Sequence, residues 1–103
     1  MGILSWLLGS STKPDLSSII NEGAFLVDVR SSAEFAQNHA RGSVNIPLDG
    51  LSSHLAKFKD KKHIVVFCRS GNRSSMAKSI LEKNGFNNVV NGRTVENIKK
   101  YVG

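Results

Sequence analysis

A single cysteine, Cys68, stands among 103 residues, so no disulfide can close within the chain and a secreted, disulfide-stapled scaffold is excluded. The lone thiol points instead to a reducing, cytoplasmic setting. No second cysteine is available to resolve an oxidised or sulfurated Cys68, so an outside molecule has to clear any covalent state reached there. Acidic residues are scarce as well. Eight Asp plus Glu against fourteen Lys plus Arg leave a net charge of +6, which favours anionic partners without naming one. The length suits one small domain, and 40% apolar with 21% charged residues is an ordinary globular balance.

Long hydrophobic runs are missing. The apolar start, Met1 to Leu8, is broken by Ser5 and has no basic residue before it. It therefore lacks the basic start of a secretory signal and falls well short of the about 20 apolar residues of a spanning helix. Trp6 occupies the position where a myristoylation signal carries Ser or Thr. Residues 1–14 read as an apolar arm and a GSSTKP linker that either cover an edge of the fold or make weak peripheral contact with a membrane. No internal repeat, phosphate-binding GxxxxGK motif or dinucleotide fingerprint is present. His39, His54 and His63 have no metal-ligand spacing with each other or with Cys68, so no metal or other cofactor is expected. The run Lys57, Lys59, Lys61, Lys62 reads as a solvated patch rather than a nucleic-acid site.

What is present is an alternation of strand-like and helix-like stretches from Asp15 to the end. Leu16, Ile19 and Ile20 have helical spacing between Asp15, a cap, and Gly23, a stop. Ala24 to Val29 is β-rich. Ser31 and Glu34 form a capping box opening a second helix, with Phe35 as its apolar anchor. Ser43 to Ile46 is a short strand closed by Pro47, and Leu51, Leu55 and Phe58 mark a third helix. His63 to Cys68 is apolar without alternation, which predicts a central strand covered on both faces. Met76, Ala77, Ile80 and Leu81 then place one helical face inward before Gly85, with Phe86 packing back. Asn87 to Val90 reads as a strand, and Thr94 to Val102 as a last helix burying Val95, Ile98 and Tyr101 or Val102. The pattern predicts an α/β domain over residues 15–103, with a small parallel sheet flanked by helices on both faces.

Chemistry concentrates after the strongest strand, because open parallel sheets bind ligands at their strands' carboxyl ends. Cys68 sits there, followed by Arg69, Ser70, Gly71, Asn72, Arg73 and Ser74. Gly71 permits positive φ and Asn72 tolerates it, so successive amides can turn inward as an anion-binding nest before a helix N-terminus. Thiols in such surroundings fall from about 8.5 to roughly 3.5–7.5, so Cys68 is expected to be largely thiolate at neutral pH. An inert buried thiol would need neither the arginines nor the glycine-bearing turn.

The segment CRSGNRS, Cys68 to Ser74, resembles the active-site loop of rhodanese-domain sulfurtransferases. DVR at Asp28 to Arg30, EF at Glu34 and Phe35, HARGSVNIP at His39 to Pro47 and GFNNV at Gly85 to Val89 extend the similarity over roughly residues 15 to 92. The resemblance implies sulfane-sulfur transfer from an anionic donor such as thiosulfate, through a Cys68 persulfide, to cyanide, a cellular thiol or a sulfur-accepting protein. It also implies that the amides of Arg69 to Ser74 cradle the persulfide while the Arg69 and Arg73 side chains hold the donor. Asp28, Arg30 and Arg41 are expected to brace loops. A non-catalytic or weakly catalytic sulfur-carrier or regulatory binding module is the alternative. Phosphatases and arsenate reductases of related fold carry CxxxxxR, one residue longer than the CxxxxR here. The family often has a further strand before the first helix and a paired glycine near the end; here Gly92 is followed by Arg93.

Overall fold

A computed structural model describes residues 15–103. Four parallel strands form one sheet in the order β2-β1-β3-β4, with β1 at Phe25–Asp28, β2 at Val44–Asn45, β3 at Ile64–Cys68 and β4 at Val89–Thr94. The helices are α1 (Leu16–Asn21), α2 (Ser32–Gln37), α3 (Asn72–Lys83) and α4 (Val95–Val102), with a 3-10 helix over Leu48–Phe58. This is the expected parallel α/β architecture. No helix of the described residues is long and apolar enough to cross a membrane.

All five residues of β3 are buried, as the unbroken apolar run predicts for a strand covered twice. Alternation then sends Ile64, Val66 and Cys68 to one face, where they meet Leu51 and Phe58 of the 3-10 helix and Ala77 and Leu81 of α3. Val65 and Phe67 go to the other, against Ile19 of α1 and Val95 and Ile98 of α4. Burial of these side chains contributes about 1.5–3 kcal/mol each. The caps behave as the residue types require. The Asp15 carboxylate accepts from the Ser18 amide, Ser31 and Glu34 close a reciprocal box, and the Thr94 hydroxyl accepts from the Asn97 amide. Phe86 packs against Phe58, with ring centroids 6.0 Å apart.

Three expectations need adjustment and one open alternative is settled. The segment of Leu51, Leu55 and Phe58 is a 3-10 helix kinked at His54 rather than an α-helix, although Leu51 and Phe58 do enter the core. Met76 is 57% exposed, since the buried stripe of α3 runs through Ser74, Ala77 and Leu81 instead. Helix α3 begins at Asn72, two residues earlier than Ser74, with Gly71 as its N-cap at φ 101°. At the last turn Tyr101 is exposed and Val102 packs inward.

The last strand also starts later and runs longer than Asn87 to Val90, ending at Thr94. Val66 pairs with Asn91 but Phe67 pairs with Arg93, so one extra residue is inserted in β4, and Arg93 takes φ 72°. A Cβ on Gly92 would lie 2.7 Å from Val65 Cγ1 and 2.8 Å from Ile98 Cδ1. Glycine is required there because α4 packs down on the sheet. The only material for the family's further strand before the first helix is Met1 to Leu8, and that segment lies outside the described residues.

Candidate active site

Cys68 is the last residue of β3 and is fully buried, its side chain turned to the face that α3 covers. The chain turns immediately above it through Gly71, and two amides converge on the sulfur. The Gly71 N–H donates to Sγ at 3.0 Å and the Ser74 N–H at 3.4 Å, while the Ser74 hydroxyl oxygen lies 3.6 Å away. Burial pushes the Cys68 thiol up. Hydrogen bonds from the Ser74 hydroxyl and from the Ser74, Gly71 and Ser70 amides outweigh it, so the pKa falls below the ordinary thiol value. At the sulfur the loop thus presents the Ser74 hydroxyl and backbone amides rather than guanidinium groups.

The loop's polar side chains divide. Ser70 and Asn72 are exposed, and Ser74 is buried. Arg69 is exposed and lines a cavity of about 420 Å³ together with Arg30, Glu34, Gln37, Asn38, Val95 and Glu96. Arg73 does not stand free. Its Nη1 and Nη2 donate to Glu34 Oε1 and Oε2 at 2.7 and 3.1 Å. The Arg73 guanidinium, with the Ser31 amide and hydroxyl, holds the Glu34 carboxyl down at about 2. The capping box and the EF block of the resemblance give Glu34 no link to Arg73. The Glu34 carboxylate in fact serves both the Ser31 amide and Arg73, thereby tying α2 to the loop that follows Cys68.

Asp28 and Arg30 form a buried pair in which Nε and Nη2 approach the carboxylate at 2.8 to 3.0 Å. Arg30 Nη2 also donates to the Asn38 carbonyl, and Asn45 Nδ2 donates to the carbonyls of Asp28 and Arg30. This network joins the end of β1, the end of α2 and β2. Arg41 is exposed, and its Nη2 lies 3.4 Å from where a Cβ on Gly103 would sit. His39 stacks on Phe35 at 4.0 Å and bonds to the Phe35 carbonyl through Nδ1. His54 Nδ1 bonds to the Gly50 carbonyl, and His63 pairs with Glu22.

One residue that supports Ser74 escaped sequence reading altogether. Asn91 Oδ1 accepts from the Ser74 hydroxyl and from the Arg93 amide, each at 2.8 Å. Asn91 pairs with Val66, whose side chain shares the Cys68 face of the sheet, and this register brings the amide beside Ser74.

Known proteins share this arrangement of sheet, loop and helix. The model of the rhodanese-like domain matches residues 12–92. Thiosulfate sulfurtransferase PspE of Escherichia coli (strain K12) is 32% identical over 74 residues, covering 70% of this chain and 71% of that protein. The Bacillus subtilis (strain 168) protein named "Putative sulfur carrier protein YrkF" is 34% identical over 71 residues, and the match spans 69% of this chain but only 38% of that longer protein. A solved structure described as "rhodanese with anions from E. coli" superposes with a TM-score of 0.67 at 31% identity, covering 74% of this chain and 92% of that one. With its parallel sheet, its cysteine-bearing loop and these relatives, the chain belongs to the rhodanese-like domain family.

Proposed function

We propose that this protein is a sulfurtransferase that carries sulfane sulfur on Cys68. The observation that carries this reading is the pair of amides, Gly71 and Ser74, aimed at a buried sulfur from a turn that leads into a helix N-terminus. Donors placed this way favour an anionic sulfur and lose nothing to reorganisation when charge moves. The names of the relatives point to the same chemistry, and an anion-bound relative suits a loop built from inward-turned amides.

In the first step the Cys68 thiolate attacks the outer sulfur of thiosulfate. A new S–S bond forms at Sγ, the donor's own S–S bond breaks, and its electron pair departs on sulfite. In the second step an acceptor such as cyanide attacks the terminal sulfur, the persulfide bond breaks, and its pair returns to Sγ. No proton has to be delivered to sulfite, so no histidine need stand at the sulfur. The amides of Arg69 to Ser74 cradle the persulfide in this reading. Exposed Arg69 draws the anionic donor, whereas Arg73, held by Glu34, fixes the loop's position. A lone reduced thiol suits a reducing compartment such as the cytoplasm.

The Bacillus relative's name favours a second reading, in which the same persulfide is delivered to a partner protein with little turnover on small molecules. Thiocyanate formation from thiosulfate and cyanide separates the two. Steady turnover abolished by Cys68→Ala supports the enzyme, whereas one sulfur loaded per chain without turnover supports the carrier. Hydrolysis of an aryl phosphate that requires Cys68 would overturn both.

A further inference from the structure

The Ser74 hydroxyl has one hydrogen and more than one claimant. Asn91 Oδ1 lies 2.8 Å from Ser74 Oγ, the Gly71 carbonyl 3.0 Å, the Arg93 carbonyl 3.5 Å and Cys68 Sγ 3.6 Å. The orientation of the Asn91 amide is fixed, because the Arg93 N–H donates to the same Oδ1. When Cys68 carries its proton, the S–H donates to Ser74 Oγ and the hydroxyl hydrogen is free to point at Asn91. When the proton leaves to water, sulfur becomes an acceptor bearing charge, and a charge-assisted bond to it outweighs a neutral one to the amide.

We propose that Asn91 is a positioning residue which holds the Ser74 hydrogen off the sulfur in the thiol state and yields it to the sulfur on ionisation. Ser74 is then a two-position donor and Asn91 the nearest acceptor at its resting position, beside the Gly71 carbonyl. Asn91 touches neither sulfur nor substrate and acts only through Ser74. Its importance for sulfur transfer rests on the reading that Cys68 ionises to attack the donor; the switch itself does not.

Charged groups approach this end of the sheet from several elements: Arg69 and Arg73 of the loop and α3, Glu34 of α2, the Asp28–Arg30 pair after β1, Arg93 of β4 and Glu96 of α4. These add a background that is the same in both positions of the hydrogen. Only Ser74 and Asn91 are coupled through it.

The test is the ultraviolet absorbance of the thiolate followed against pH, with Cys68→Ala as the blank. Because Cys68 is the one cysteine, the signal belongs to it alone. Ser74→Ala is expected to raise the inflection by about one pH unit, the worth of one hydrogen bond to a charged group. Asn91→Ala is expected to lower it by up to roughly half a unit, because the hydrogen loses its nearest acceptor and keeps only the Gly71 carbonyl at 3.0 Å and the Arg93 carbonyl at 3.5 Å. In the Ser74→Ala background Asn91→Ala is expected to do nothing. A rise with Asn91→Ala, or the same shift in both backgrounds, overturns the proposal. Should Asn91→Ala fail to fold, Asn91→Asp keeps both acceptor contacts and holds the hydrogen harder. It is expected to raise the inflection more in the wild type than with Ser74→Ala, and equal rises overturn the proposal. These readouts involve no sulfur donor, so they stand apart from the failure or success of sulfur transfer.

Discussion

Glu34 and Arg73, 39 positions apart in sequence, meet in a two-point ion pair at 2.7 and 3.1 Å that joins the first turn of α2 to the first turn of α3. The pair changes the meaning of the loop's two arginines. Arg69 is left as the loop's exposed cation, and Arg73 becomes a strut for the turn that carries the Gly71 and Ser74 amides.

Replacing Glu34 by Gln removes the charge while keeping a side chain able to cap α2. Loss of stability is expected at neutral pH, tempered by solvent screening because both partners are partly exposed. The folded carboxyl is depressed to about 2 from an ordinary 4.5, so its contribution is complete above pH 4.5 and fades as the pH falls toward 2. Urea midpoints of wild type and Glu34→Gln should therefore differ at neutral pH and converge through that window. A gap that stays constant into acid would show that the charge is not the stabilising element.

Gly92 is the tightest glycine in the described chain, and its replacement tests the packing of α4. Gly92→Ala places a methyl against Val65 and Ile98 and is expected to cost about 1–3 kcal/mol by overpacking. Ile98→Val in the same chain removes the Cδ1 atom that the methyl meets and should restore part of the urea midpoint. If Gly92→Ala is neutral, the close approach of α4 to the sheet is misplaced.

What could be read from sequence was local. The apolar run of β3, the Asp15 cap and the Ser31–Glu34 box all lie within a few residues, and each appears where the chain predicts it. The extent of strand β4 was concealed because four of its six residues are Asn91, Gly92, Arg93 and Thr94, polar or flexible residues held in the sheet by an irregular register against β3. Met76 fits a helical repeat with Ala77 and Ile80 as well as Ser74 does, and only the tilt of α3 on the sheet decides which is covered. The loop that follows Cys68 was legible as one continuous segment. Its supports were not, since Glu34 reaches Arg73 and Asn91 reaches Ser74 across 39 and 17 positions that only the topology brings together.

The central claim is that the sulfur of Cys68 is itself loaded. Its most direct test is the intact mass of the protein after incubation with thiosulfate and removal of the excess. The account predicts a gain of one sulfur, reversed by a thiol reductant and absent in Cys68→Ala. An unchanged mass with every sulfane donor, or the same gain in Cys68→Ala, would contradict it.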